Sequence, residues 1–258
     1  MDQDYAQRYG ELEQWHWWFR GRQRIVESVL HRDLRPDQSR DILSVGCGPA
    51  IGLGWLLPFA GPKGIVTGLD PEPGRAIPCP KGIEFVVGRM EEPPLAGRVF
   101  NVVLAMDVLE HLDDDLAGLQ QAAGLLRPGG YLLITVPAFP FLWGGQDVVS
   151  QHRRRYTKAT LRDLLQRTGL RGFTLSYFNT LLFPVAAAVR SVRRLQGHSN
   201  RSRSDFEGSH PGLVNNTLTQ VFGAERYFVN RIPMPVGVSL MATYRDKRSA
   251  GERTGTKG

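Results

Sequence analysis

The chain has 258 residues, 41% hydrophobic and 22% charged, with 29 Gly, 17 Pro and two Cys. That apolar content excludes disorder throughout, and Cys47 and Cys79 are too few for a disulfide scaffold or a thiolate zinc cage, which fits a reduced cytoplasm. The net charge of +7 sits in two polar stretches, +4 over residues 190–205 and +3 over 245–258, whose composition favours solvated chain over an ordered phosphate-binding face, so nucleic acid ranks below a small-molecule substrate.

In chain order, the first residues carry acids where a secretory leader needs a basic and then an apolar region, so none is expected. Trp15-His16-Trp17-Trp18-Phe19-Arg20 then packs three of the five Trp into four positions. Such a cluster reads either as the anchor of an N-terminal helix or as a lid whose rings exclude water from a ligand. From Asp41 onward, short runs rich in Val, Ile and Leu and bounded by Gly or Pro predict buried parallel strands at 42–45, 65–69, 84–87, 99–105 and 131–136. Between them, Leu53–Leu57 reads as an apolar helix. Asp113–Leu126 reads as an amphipathic one, capped by Asp113 and stopped by Arg127-Pro128-Gly129-Gly130. Thr157 caps a further helix that Gly169 closes.

Two more strands are predicted at 173–178 and 238–244, separated by an excursion too long for a hairpin. Residues 181–195 and a stripe of Val214, Leu218, Val221 and Phe222 give that excursion helices, with packing on the sheet or on a second copy of the chain as the expected role. The apolar run over 181–189 is broken by Pro184 and is far short of the ~18 residues of a membrane span. The expected architecture is α/β, a doubly wound, Rossmann-like seven-stranded sheet with an N-terminal helical lid and an insertion before the last strand. Its parts are 1–40 (cap), 41–179 (core), 180–234 (helical insertion with a flexible basic stretch), 235–244 (final strand) and 245–258 (disordered tail).

The first strand runs into Gly46-Cys47-Gly48-Pro49-Ala50-Ile51-Gly52. Glycines here let the backbone approach a ligand, and the following helix start offers its N–H groups. Ile51 departs from the dinucleotide fingerprint, which disfavours a nicotinamide or flavin dinucleotide. Asp70, ending the second strand 24 residues after Gly46, stands where a carboxylate accepts both hydroxyls of a ribose. No metal-ligand set is read from the spacing. His111, beside Glu110, and His152 are the candidate bases, because imidazole titrates near neutrality. His111 reads equally well as a histidine hydrogen-bonded at a helix start.

These residues, with Asn101–Leu112 (NVVLAMDVLEHL) and Leu126–Pro137 (LRPGGYLLITVP), resemble the class I S-adenosylmethionine-dependent methyltransferases over about Asp41–Tyr177. His16–Arg22 (HWWFRGR) and Gln151–Thr157 (QHRRRYT) are similar to a bacterial subgroup within them. The resemblance implies S-adenosyl-L-methionine as cofactor, with Gly46, Cys47 and Gly48 under its methionine moiety, Asp70 and Pro71 at the ribose, Met90 beside the adenine and Asp107 near the transferable methyl. Apart from the resemblance, Trp18 reads as part of the lid over the cofactor, and Arg20 or Arg22 as a partner for its carboxylate. Ser44, Ala50 and Arg89 depart from the pattern at positions where an acid, a glycine and an acid are common.

A small anionic or sugar-like acceptor is expected. If Gln151–Tyr156 is extended, Arg154 and Tyr156 share a side with His152 and grip the acceptor, with Trp143 nearby, while Arg153 and Arg155 point outward. Oxygen is the expected acceptor atom. A non-catalytic binding protein on the same fold and a nucleic-acid methyltransferase remain the alternatives, and a homodimer through the insertion is the expected assembly.

Overall fold

The computed structural model describes residues 11–76, 79–195, 211–229 and 231–247. Most of the expected basic stretch at 190–205 and of the tail at 245–258 lies outside them. A seven-stranded sheet carries β1 (Ile42–Val45), β2 (Val66–Asp70), β3 (Ile83–Val87), β4 (Phe100–Met106), β5 (Leu126–Pro137), β6 (Thr174–Phe178) and β7 (Ser239–Arg245), in the order β3-β2-β1-β4-β5-β7-β6. Strands β1 to β5 pair in parallel, and β7 runs antiparallel between β5 and β6. Chain order reverses between β1 and β4, which opens a crevice at the carboxyl ends of those strands.

Alternation along each strand feeds two cores. Leu43, Val45, Val103, Ala105 and Ile134 pack on one face with Leu119 of α3 (Asp115–Gly124) and Leu161, Leu164 and Leu165 of α5 (Lys158–Arg167). Ile42, Val102, Leu104 and Leu133 pack on the other, against Ile25, Val26, Val29 and Leu30 of α1 (Trp17–Asp33). Each buried Val, Leu or Ile side chain among them stabilises the fold by about 1.5–3 kcal/mol. Helix α1 therefore belongs to the core over most of its length. It also packs on α7 (Leu213–Ala224) so closely that a Cβ on Gly21 would collide with the Phe222 ring. Asn215 of α7 ties the two further: its Oδ1 accepts from Trp17 N–H and its Nδ2 donates to the Trp15 carbonyl, each at 2.8 Å.

Several local expectations are corrected. The α3 cap is Asp114, whose carboxylate accepts from Ala117 N–H at 2.9 Å, one residue later than Asp113. The stretch after the glycine loop is a 3-10 helix over Ala50–Leu56, with a short helix α2 (Leu57–Ala60) behind it, so Leu53–Leu57 is not one α-helix. β5 begins at Leu126, because Arg127–Gly130 continues the strand through a register irregularity opposite Phe100 and Val102. Thr157 does cap α5, accepting from Thr160 N–H, and Gly169 closes it at φ +87°. Two further helices are α4 (Gly145–Val149) and α6 (Phe183–Leu195).

Candidate functional site

A cleft of about 1190 Å³ lies over the carboxyl ends of β1, β2 and β4. That exceeds the ~300–1,000 Å³ of an ordinary ligand pocket, leaving room for two ligands side by side. Its floor is the loop after β1. Gly46 and Gly48 adopt φ +57° and +67°, a left-handed geometry that side chains disfavour. A Cβ on Gly46 would come within 2.6 Å of Val108 Cγ2. Cys47 is half-buried in this loop.

Asp70 ends β2 and is 2% exposed. Gly48 N–H donates to its Oδ2 and Glu72 N–H to its Oδ1, both at 3.0 Å, so backbone amides from two loops orient the carboxylate. Pro71 and Met90 border the same end of the cleft. The Arg89 guanidinium pairs with Glu91 at 3.1 Å and stays 63% exposed, and both residues border the cleft. Glu13, in the helical stretch 11–15, was not singled out from sequence. Its carboxylate stands over the glycine loop, where a Cβ on Gly48 would meet Oε1 at 3.4 Å and one on Gly52 would meet Oε2 at 3.1 Å. No motif in the sequence links positions 13 and 48, so only the fold reveals the pair.

Asp107 follows β4 at φ +56°, a left-handed conformation that Asp tolerates better than most side chains. Arg22 reaches from α1 to form an ion pair with it, the guanidinium lying 4.5 Å from the centre of the Trp18 ring. Trp17 and Trp18 both border the cleft, and Trp17 also meets Phe222 edge-on at 5.9 Å. The aromatic cluster thus divides between anchoring α1 and walling the site.

Beyond Asp107, the turn Leu109–His111 faces the loop after α4. His111 and His152 lie edge-to-face with ring centres 4.7 Å apart, both on the cleft. The His152 Nδ1 bonds Asp147 Oδ1 at 2.8 Å, and Asp147 also accepts from Arg155 Nε at 2.7 Å and from Gly144 N–H at 2.7 Å. Burial pushes the Asp147 carboxyl up, but the bonds from His152 and Arg155 outweigh it and hold the group at about 2. An ionised Asp147 accepts from Nδ1, so Nε2 is the ring nitrogen that Asp147 leaves for another partner. Glu110 is fully buried; burial and the nearby Asp107 carboxylate raise its pKa well above the usual carboxylate range.

The acceptor residues expected from strand alternation are rearranged. Gln151 turns the chain at φ +56°, which breaks the assumed parity, and His152, Arg153 and Arg155 border the cleft instead. Arg154 pairs with Asp115 at 2.9 Å and donates to the carbonyls of Leu112 and Asp113. Tyr156 is 4% exposed and donates to the same Asp115 at 2.7 Å. Arg154, Tyr156 and Trp143 do not border the cleft among the described residues; the first two brace the turn into α3. From the insertion, Leu182, Val185, Ala186, Val189 and Arg190 of the α6 region form a further rim of the cleft.

Residues 12–175 match the model of the methyltransferase domain family. A ubiquinone biosynthesis O-methyltransferase of Azorhizobium caulinodans is 30% identical over 171 residues, 59% of this chain and 66% of that protein. The chain spans 66% or less of the length of the curated relatives it matches. Among solved structures, a methyltransferase of Haloferax volcanii in complex with the Trm112 methyltransferase activator aligns over 95% of this chain and 96% of its own. Its TM-score is 0.59 at 16% identity. Phosphoethanolamine N-methyltransferase 2 of Haemonchus contortus, in complex with S-adenosyl-L-methionine, aligns over 86% of this chain and 53% of its own, with a TM-score of 0.54 at 14% identity. At these identities the structural likeness speaks to the fold.

Proposed function

This chain belongs to the methyltransferase domain family, and we propose that it is an S-adenosylmethionine-dependent methyltransferase acting on an oxygen of a small-molecule acceptor. The observation that carries the reading is the buried Asp70 carboxylate, held by backbone amides beside a loop whose Gly46 and Gly48 adopt left-handed φ that side chains disfavour. Asp70 takes the ribose hydroxyls, the glycine loop lies under the methionine moiety, and Met90 flanks the adenine. Glu13 is suited to the ammonium group, which offsets the missing acid at Ser44.

The cofactor supplies a methyl group already activated on a sulfonium, so the protein's work is to bind, align and exclude water. The acceptor lies between Asp107, His111, His152 and the α6 rim. Held over the glycine loop beside Asp70, the cofactor would supply its methyl to the acceptor oxygen and leave as the neutral thioether. The hydroxyl proton passes to His152 Nε2, whose ring Asp147 orients and whose positive charge Asp147 then stabilises. Ubiquinone-pathway relatives named for O-methylation support oxygen as the acceptor atom.

Calorimetry with S-adenosyl-L-methionine tests the cofactor assignment. Asp70→Ala should weaken binding by about 1.5–3 kcal/mol, the worth of hydrogen bonds to a charged group. A folded Asp70→Ala protein with undiminished affinity would refute it. Incubation of the protein with labelled cofactor and metabolite extracts, followed by mass analysis of products, then identifies the acceptor.

A further inference from the structure

We propose that Glu110, His111 and His152 form a site for one divalent transition-metal cation at the acceptor end of the cleft. One donor atom from each lies within 4.8 Å of the other two. Ligands on a shared ion with bonds of ~2.0–2.2 Å stand about 3.3 Å apart, so side-chain movements of about 1 to 1.5 Å close the set. Two loops bring the donors together. Arg153 N–H donates to the Glu110 carbonyl at 2.7 Å and Arg153 Nε to the His111 carbonyl at 3.0 Å, which staples the turn bearing Glu110 and His111 to the loop bearing His152.

The second observation is the state of Glu110. It is 0% exposed, and neither carboxylate oxygen accepts a hydrogen bond from another residue. Burying a carboxyl without partners is costly, and proteins rarely leave one so unless it has a ligand to meet. His152 adds a third. Its Nδ1 is engaged by the fully buried Asp147, as an outer-sphere carboxylate engages metal-bound histidines, which leaves Nε2 as the nitrogen for an ion. Asp147 is in turn fixed by Arg155 and by Gly144 N–H.

Two imidazoles and one carboxylate suit Zn²⁺, Fe²⁺ or Co²⁺ rather than Mg²⁺, which demands oxygen ligands. Three protein ligands leave coordination positions open on the cleft side, as a catalytic site requires. The inference rests on the methyltransferase reading for its purpose: the cation would hold the acceptor oxygen and acidify its hydroxyl, whose proton then leaves to solvent. His152 would act as a ligand in place of a base.

The test is titration of the untagged full chain with Co²⁺, followed by visible absorption, with circular dichroism as the check on folding. One equivalent should bind, Mg²⁺ should not compete, and Glu110→Gln and His152→Ala should each lose at least ~100-fold in affinity. His111→Ala should show the same loss, which keeps the test decisive if one of the others fails to fold. Asp147→Asn should lose about 10–100-fold, as expected of a positioning residue. Asp70→Ala should bind Co²⁺ as the parent does while losing S-adenosyl-L-methionine, so failure of the cofactor reading and failure of the metal site are separately visible. Absence of saturable binding, or equal Co²⁺ affinity in the parent and Glu110→Gln, would overturn the proposal.

Discussion

Arg22 and Asp107 are 85 positions apart in the chain and form an ion pair across the cleft, each side chain only 12% exposed. The pair joins α1 to the end of β4, the strand that borders the switch in chain order. Arg22→Ala should destabilise the protein by about 1.5–3 kcal/mol, because it leaves a charged carboxylate without its donor. A second change, Asp107→Asn, should recover part of that loss, since the uncompensated charge is then gone. Urea denaturation of the two single variants and the double one gives the coupling. Strict additivity would mean the two side chains do not interact in solution.

Glu13 gives a prediction that separates two parts of the cofactor. Glu13→Gln keeps the side chain's size and removes its charge, so affinity for S-adenosyl-L-methionine should fall by about 1.5–3 kcal/mol. Affinity for methylthioadenosine, which lacks the amino-acid moiety, should not change. Calorimetry with both ligands reads the difference. Equal losses for the two would assign Glu13 to closing the cleft and not to the ammonium group.

Arg154 and Tyr156 should behave as structural residues. Arg154→Ala breaks the pair with Asp115 and should cost about 1.5 kcal/mol of stability, visible as a lowered midpoint in thermal melting. Once an acceptor is known, its KM should stay within about twofold of the parent value, whereas Arg155→Ala, which alters the cleft wall and releases Asp147, should change both KM and kcat. A large KM increase confined to Arg154→Ala would restore the role expected from strand alternation.

His16 predicts acid sensitivity at the start of α1. It is 1% exposed, accepts from Trp18 N–H at 3.2 Å as the helix cap, and burial lowers its pKa to about 4. Between pH 6.5 and 4 the unfolded chain therefore binds a proton that the folded chain does not. Stability falls as pH drops through that window and is fully present above it. The loss from pH 7 to pH 5 should be about 2 kcal/mol. His16→Asn, which keeps a capping side chain without the titration, should lose correspondingly less in urea melts at the two pH values. Identical pH dependence in the parent and His16→Asn would exclude His16 as the source.

Much of the sheet was legible in the sequence because burial on both faces writes β1, β2, β4 and β5 as near-continuous apolar runs, and because glycine and a strand-ending acid mark a ligand loop by local geometry alone. Gly46, Gly48 and Asp70 lie within one βαβ unit, so spacing suffices to bring them together. What only the tertiary structure decided depends on contacts between distant segments or on a single backbone turn. Glu13 over Gly48, Arg22 on Asp107, Gly21 against Phe222 and Asn215 on Trp17 have no shared local pattern, since each joins segments remote in sequence that only the tertiary fold brings together. The left-handed turn at Gln151 reverses which of Arg153, Arg154 and Arg155 meet the cleft, and alternation cannot anticipate a turn that a non-glycine residue makes under tertiary constraint. The cluster of Glu110, His111 and His152 escaped a reading by ligand spacing for the same reason: its two halves lie 41 positions apart with α3, β5 and α4 between them, and the fold brings them within reach of one ion.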